Sequence, residues 1–153
     1  MLRDTLPKRS GGTTFNQTSD GILLFFDTGR TKWLSTSREN IVFGINHKNL
    51  TDERYMFLSG KVVTSSTGLR VPRNATITSI SVQTKNLAIG TFRVRRNDVV
   101  TDLTTLTLAS EQGKSQDNLS IDINKDDWIQ VIMSPGAGQI DFPVLNLELA
   151  WRT

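Results

Sequence analysis

Residues 73–100 read RNATITSISVQTKNLAIGTFRVRRNDVV, and this stretch decides the fold class. Thr78, Ile80, Val82 and Thr84 fall on one face of an extended chain, with Ser79, Ser81 and Gln83 on the other. After Lys85-Asn86 the alternation returns, Phe92, Val94 and Arg96 opposing Thr91, Arg93 and Arg95. A period of two in β-branched residues, bounded by turn formers, is the pattern of half-buried antiparallel strands. The stretch predicts two strands joined by a polar turn at Lys85-Asn86. A second, tight turn is expected at Asn97-Asp98, because Asn and Asp tolerate left-handed backbone.

Working outward, VVTDLTTLTL (99–108) continues as a strand, and SEQGKSQDN (110–118) reads as an exposed loop. In NLSIDI, Leu119, Ile121 and Ile123 alternate with Ser120 and Asp122; WIQVIM (128–133) follows the turn at 124–127 as a strand. SPGAGQID (134–141) is a Gly/Pro loop of hairpin type. The closing run VLNLELAWR places Leu145, Leu147, Leu149 and Trp151 on one buried face. Upstream, GILLFFD (21–27) predicts a buried strand, Thr28-Gly29-Arg30 a turn, and KWLSTSR a segment with Trp33 and Leu34 in the core or an interface. ENIVFGIN (39–46) is a strand in which Gly44 marks a bulge or a close backbone approach. HKNLTDER is a polar connector, YMFLSGKVV (55–63) holds one or two short strands, and TSSTGLRVP is a loop. No stretch carries a helical period. Many short strands with frequent turns predict an all-β, antiparallel β-sandwich of jelly-roll-like topology.

The 153 residues suit one domain with a proper core. There is no cysteine, so neither disulfides nor thiolate metal sites contribute. No apolar run approaches the roughly 20 residues of a membrane-spanning helix, and MLRDTLPKRSGG lacks the apolar core of a signal peptide. Residues 1–96 carry 15 basic and 6 acidic side chains, a net +9; residues 97–153 carry 3 and 9, a net −6. The basic half has no Lys/Arg cluster interleaved with aromatics, so neither a nucleic-acid nor a membrane partner is expected. The split could instead support contact between unlike faces of neighbouring copies, an arrangement that suits a closed ring such as a trimer.

Residues 1–19 hold few large apolar side chains and are broken by Pro7, Gly11 and Gly12. Such a segment buries too little surface to fold alone. It reads as an extended arm that orders against a partner through Leu2, Arg3, Leu6, Lys8, Arg9 and Phe15, with the sandwich occupying residues 20–153.

Reaction chemistry finds little support. The one histidine, His47, sits in the polar connector without identifiable triad or zinc partners. Asp122, Asn124 and Asp126 echo the first ligands of a calcium loop, but Asp127 stands where glycine is needed and Met133 where a bidentate glutamate is needed. Asp126 and Asp127 are adjacent, so on a strand they point to opposite faces and cannot flank one glycosidic bond. Gly136-Ala137-Gly138 is a turn rather than a phosphate cradle. Arg93 and Arg95 share a strand face and could bind phosphate, carboxylate or sugar. Sequons at Asn16, Asn49, Asn74 and Asn118 would matter only in a eukaryotic secretory setting. No catalytic residue, cofactor or metal is expected, and the chain reads as a non-enzyme.

Two segments carry a resemblance. GILLFFDTGRTKWLSTSR (21–38) contains an Asp-x-x-Arg turn between two strands. RVPRNATITSISVQT through FRVRRND to LELAWR covers residues 70–152. Together they resemble small structural proteins of tailed bacteriophage particles: capsid decoration (cement) proteins, head fibres and knob domains of tail fibres. The resemblance implies a jelly-roll-like knob, commonly a homotrimer, attached to the particle by its N-terminal segment. The implied partners are the major capsid protein or another virion protein, and the implied location is the capsid surface. The chain has no long repetitive shaft, which favours decoration or a short head fibre over a receptor- or glycan-binding tail-fibre knob.

Overall fold

The computed structural model describes residues 15–58, 64, 66–98 and 101–153. Three short strands, β1 (Phe15–Gln17), β2 (Leu23–Asp27) and β3 (Lys32–Ser35), form one antiparallel sheet. The other nine belong to a second antiparallel sheet. They are β4 (Glu39–Gly44), β5 (Arg54–Tyr55), β6 (Phe57–Leu58), β7 (Leu69–Arg70), β8 (Ala75–Arg96), β9 (Thr104–Gln116), β10 (Ile121–Ile123), β11 (Trp128–Pro135) and β12 (Val144–Trp151). No helix occurs among the described residues. The protein is all-β and antiparallel, as the period of two requires.

The stretch that decides the class is one strand, not two. β8 runs for 22 residues straight through Lys85-Asn86. Held straight it would span about 70 Å; instead it folds over. Its first half pairs with β12 and its second half with β11, while β9 follows it along the other side. Between Gln83 and Ala88 the β8–β9 register shifts, and β9 carries a second irregularity at Ser110, whose φ is 65°. Strands that change sheet at such bulges make the corners of a sandwich. The polar residues that resemble a turn are pinned at this corner. Thr84 donates to the carbonyls of Asn86 (2.8 Å) and Gln112 (3.0 Å), and the Lys85 N–H donates to Asp141 O at 2.9 Å. Asn86 donates to Gln139 O at 2.8 Å and accepts from the Asp141 N–H at 2.9 Å.

The fold-over brings both ends of β8 to Asp122. The Thr76 hydroxyl donates to its carboxylate at 2.7 Å, and the Arg96 guanidinium reaches its carbonyl at 3.5 Å. The sheet thus curls nearly closed around one core. Ile80, Val82, Phe92 and Val94 of β8 point inward against Leu106 and Leu108 of β9, with β11 and β12 filling the rest. Leu145, Leu147 and Leu149 are buried as expected, and Trp151 is half-buried at their end. The small sheet buries Leu24, Trp33 and Leu34 and bridges to the end of β12 through Leu34 and Arg152.

Other expectations change. SEQGKSQDN is not a loop: residues 110–116 complete β9, their polar character reflecting an exposed edge strand rather than missing structure. SPGAGQID is not a hairpin, because β11 and β12 each pair with β8 and not with one another. Gly44 lies in a regular register with Val144, and a Cβ there would meet only ordinary contacts of 3.5 and 3.9 Å, so neither a bulge nor a close approach requires it. The turn at Asn97-Asp98 is as expected, with φ of 53° and 56°. In YMFLSGKVV, β5 and β6 are present and residues 59–63 lie outside the described residues.

Candidate functional site

The residues singled out for chemistry are occupied within the fold. His47 is exposed, its Nδ1 2.5 Å from Lys48 O. Asp122 is held by Lys32 (2.7 Å), the Thr76 hydroxyl and Arg152 (3.6 Å). Asp126 faces Arg70 at 3.7 Å and Asp127 faces Arg96 at 3.6 Å, so the adjacent carboxylates serve separate partners. Among the described residues no group of His, Asp and Glu could hold a metal ion. Arg93 binds Glu53 and the Ser134 hydroxyl, and Arg95 donates to Asp102 at 2.8 Å. The two guanidiniums that could have bound an anion are therefore engaged by neighbouring carboxylates.

The charge split along the chain is satisfied in part in the same way. Lys32–Asp122, Arg38–Glu148, Arg70–Asp126, Arg95–Asp102 and Arg96–Asp127 each join a base of the first half to an acid of the second. These five pairs meet inside one chain and use part of the split, while acids of the second half such as Asp98 and Asp117 stand outside them.

Three carboxylates are held below their ordinary range. At Asp27, burial opposes ionisation most strongly, but the backbone N–H and side chain of Arg30 outweigh it. At Asp122, burial is again the largest influence and is overcome by hydrogen bonds from Lys32 and Thr76 and by the charge of Arg152. At Glu53 the Ser134 hydroxyl acts first, with Arg93 adding to it against burial. A carboxylate with a depressed folded pKa stabilises the fold above its unfolded value, near 4, and loses that contribution as pH falls through the folded value. Thermal melts at pH 6, 4 and 3 should show stability falling with acid, and Asp27→Asn should flatten the decline. A melting temperature constant between pH 6 and 3 would contradict these assignments.

Beside exposed charges such as Glu39, Lys48, Asp98, Asp117 and Lys125, the fold leaves apolar side chains open. Leu87, on the β8 corner, is 67% exposed, and Ile89 beside it pairs across the ladder with exposed Ala109. Val42 and Val144, both exposed, join Phe57, Phe142 and Ile45 around a hollow of about 430 Å³ whose wall includes Gly44. Val144 pairs with Gln83 at the start of the corner, so these side chains gather at the end where β8 folds over. The ion pairs around Asp27, Asp122 and Asp127 gather at the other end. β9 adds a second open feature: one side pairs with β8, and along the other no described strand pairs with it. Leu2, Arg3, Leu6, Lys8 and Arg9 lie outside the described residues, while Phe15 opens β1 and is 55% exposed.

No family model and no curated protein matches the sequence. Among solved structures, the chain is similar to PRD1 vertex protein P5, with a TM-score of 0.48 and 12% identity over 95% of this chain and 86% of that one. It is also similar to FLHE, with a TM-score of 0.38 and 7% identity over 77% of this chain and all of that one (100%).

Sequence reasoning missed both open features. The open edge of β9 is hidden in a polar run, and the corner is hidden in what reads as a turn. Only the apolar Leu87 and Ile89 within a polar context gave a local signal.

A smaller hollow of about 210 Å³ lies beside the small sheet, lined by Phe26, Trp33, Lys32, Asp122 and Arg152. The Trp33 indole N–H is buried without a hydrogen-bond partner among the described residues.

Proposed function

We propose that this chain is a non-enzymatic structural protein of a phage particle, acting on the capsid surface as a decoration protein or short head fibre. The observation that carries the reading is the division of its surface. Many ionic side chains are engaged in internal pairs, while apolar side chains and a strand edge unpaired among the described residues remain open, which equips the molecule to pack against other proteins. The resemblance of residues 21–38 and 70–152 to phage structural proteins points the same way. Residues 1–14, with Leu2, Arg3, Leu6, Lys8 and Arg9, serve as the docking arm, and Phe15 leads it out of β1. Strand addition through such an arm draws affinity from backbone hydrogen bonds and specificity from alternate side chains.

β1 pairs with β2, so the informative deletion stops before it. A variant without residues 1–14 should melt within a few degrees of the full chain and fail to attach to particles. Full occupancy of particles by the shortened protein would place attachment in the sandwich and overturn the role of the arm.

The hollow beside Trp33 favours a second reading, a glycan-binding knob, because an aromatic wall with a carboxylate and two cations suits a sugar ring. A glycan array decides it: specific binding that Phe26→Ala abolishes would support this reading, and an empty array would remove it.

A further inference from the structure

We propose that residues 2–10 of one copy add as an antiparallel strand to the free edge of β9 in a second copy, with Arg3 facing Asp117 and Arg9 facing Glu111. The proposal rests on the reading of residues 1–14 as a docking arm and names the surface that receives it.

The edge itself is the first observation. β9 is 13 residues long, carries no proline, and is unpaired along one side among the described residues. A long edge of this kind is a template for another strand unless it is covered.

Charge spacing supplies the occupant. Arg3 and Arg9 are six residues apart, and so are Glu111 and Asp117, the latter one residue past the end of β9. In two extended strands this separation is the same, about 20 Å. Running antiparallel, the arm brings both pairs together in a single register. Among the described residues Glu111 has Lys114 as its ionic neighbour, at 3.5 Å and exposed, which competes weakly, and its carboxylate accepts the Ala109 N–H at 3.3 Å.

That register also sorts the apolar residues. Leu2 and Leu6 then lie opposite Asn118 and Lys114. Lys114 pairs across the ladder with buried Val82, so Leu6 falls on the Val82 side, whereas Glu111, beyond the register shift between Gln83 and Ala88, pairs with buried Ala88. A slip of one residue would turn Leu6 to the opposite face. Pro7 is compatible because the arm becomes the outermost strand, where its missing N–H can face solvent.

The length of the arm favours a second copy over the same chain. Residue 9 is six residues from Phe15, at most about 20 Å of extended backbone. Phe15 pairs with Phe25, which lies under Arg38 next to Glu148, level with Ser79. From there Glu111 is as far along β9 as the tether can stretch, with β8 still to be crossed. An arm arriving from a neighbour has no such limit.

The absence of native cysteine makes the test clean. Full-length Arg9→Cys and Glu111→Cys variants are mixed under mild oxidation, and the product is read by mass on a non-reducing gel. A disulfide needs the two Cβ atoms about 4 Å apart. The expected result is a crosslinked heterodimer of twice the 17.1 kDa chain mass in the mixture, in excess of that formed by either variant alone. Sedimentation velocity is the second readout. Arg3→Glu with Arg9→Glu should weaken self-association about tenfold or more, as should Glu111→Lys with Asp117→Lys, and combining all four should restore it. A mixture that forms no heterodimer, a double cysteine variant that closes only within one chain, or a charge swap without rescue would each overturn the proposal. If crosslinking fails while removal of residues 1–14 still abolishes particle attachment, the arm stands and its acceptor lies on a different protein.

Discussion

Leu147→Ala is expected to destabilise the fold by about 2–5 kcal/mol, read from the midpoint of chemical denaturation. Leu147 is fully buried, 0% exposed, at the centre of β12. It pairs with Ile80 of β8 on one side and Ile41 of β4 on the other. Truncation removes the transfer free energy of three carbon atoms. It also leaves a void that flanking Leu145 and Leu149 cannot close, because the ladders on both sides fix the strand. A loss below about 1 kcal/mol would mean that this face of β12 does not line the core.

Arg30→Ala is expected to cost about 3 kcal/mol, through a different mechanism. Arg30 is the clasp between the small sheet and the large one. Its backbone N–H and Nη1 bind the Asp27 carboxylate at 2.9 and 2.7 Å, its Nε donates to Leu119 O at 2.5 Å, and its Nη2 donates to Thr78 O at 3.3 Å. The side chains of Arg30 and Asp27 are 15% and 12% exposed, so removing the guanidinium leaves the Asp27 carboxylate with backbone donors alone and takes the side-chain donor from Leu119 O, while Thr78 O keeps the Leu119 N–H. Lysine should not rescue, since one ammonium cannot replace a planar fork that serves three acceptors. Amide exchange along β2 and β3 should accelerate more than exchange along β11. Unchanged stability, or equal acceleration in both places, would show that the clasp does not hold the small sheet.

These two residues differ in how well the sequence announced them. The alternation around Leu147 depends only on the local period of a strand with one wet face, and that period is written in consecutive residues. The Asp27-x-x-Arg30 turn was equally legible, since its defining hydrogen bonds span three residues. The reach of Arg30 to Thr78 and Leu119, 48 and 89 positions away, was not.

The amino-acid sequence by itself determined the all-β class, the buried face of β12 and the left-handed turn at Asn97-Asp98. It placed strand breaks wrongly at Lys85-Asn86 and at residues 110–116 because polar composition signals exposure, and exposure is common to loops, corners and edge strands. Tertiary structure alone decided among these. Asn86 and Lys85 are held in a strand corner by Asp141 and Gln139 of a distant loop, and residues 110–116 become a strand by pairing with β8. The charge split had the same fate: its sign pattern is visible along the chain, but only the folding of one half against the other turned part of it into internal ion pairs. Local periodicity is set by neighbours in sequence, whereas pairing, corners and charge neutralisation are set by neighbours in space.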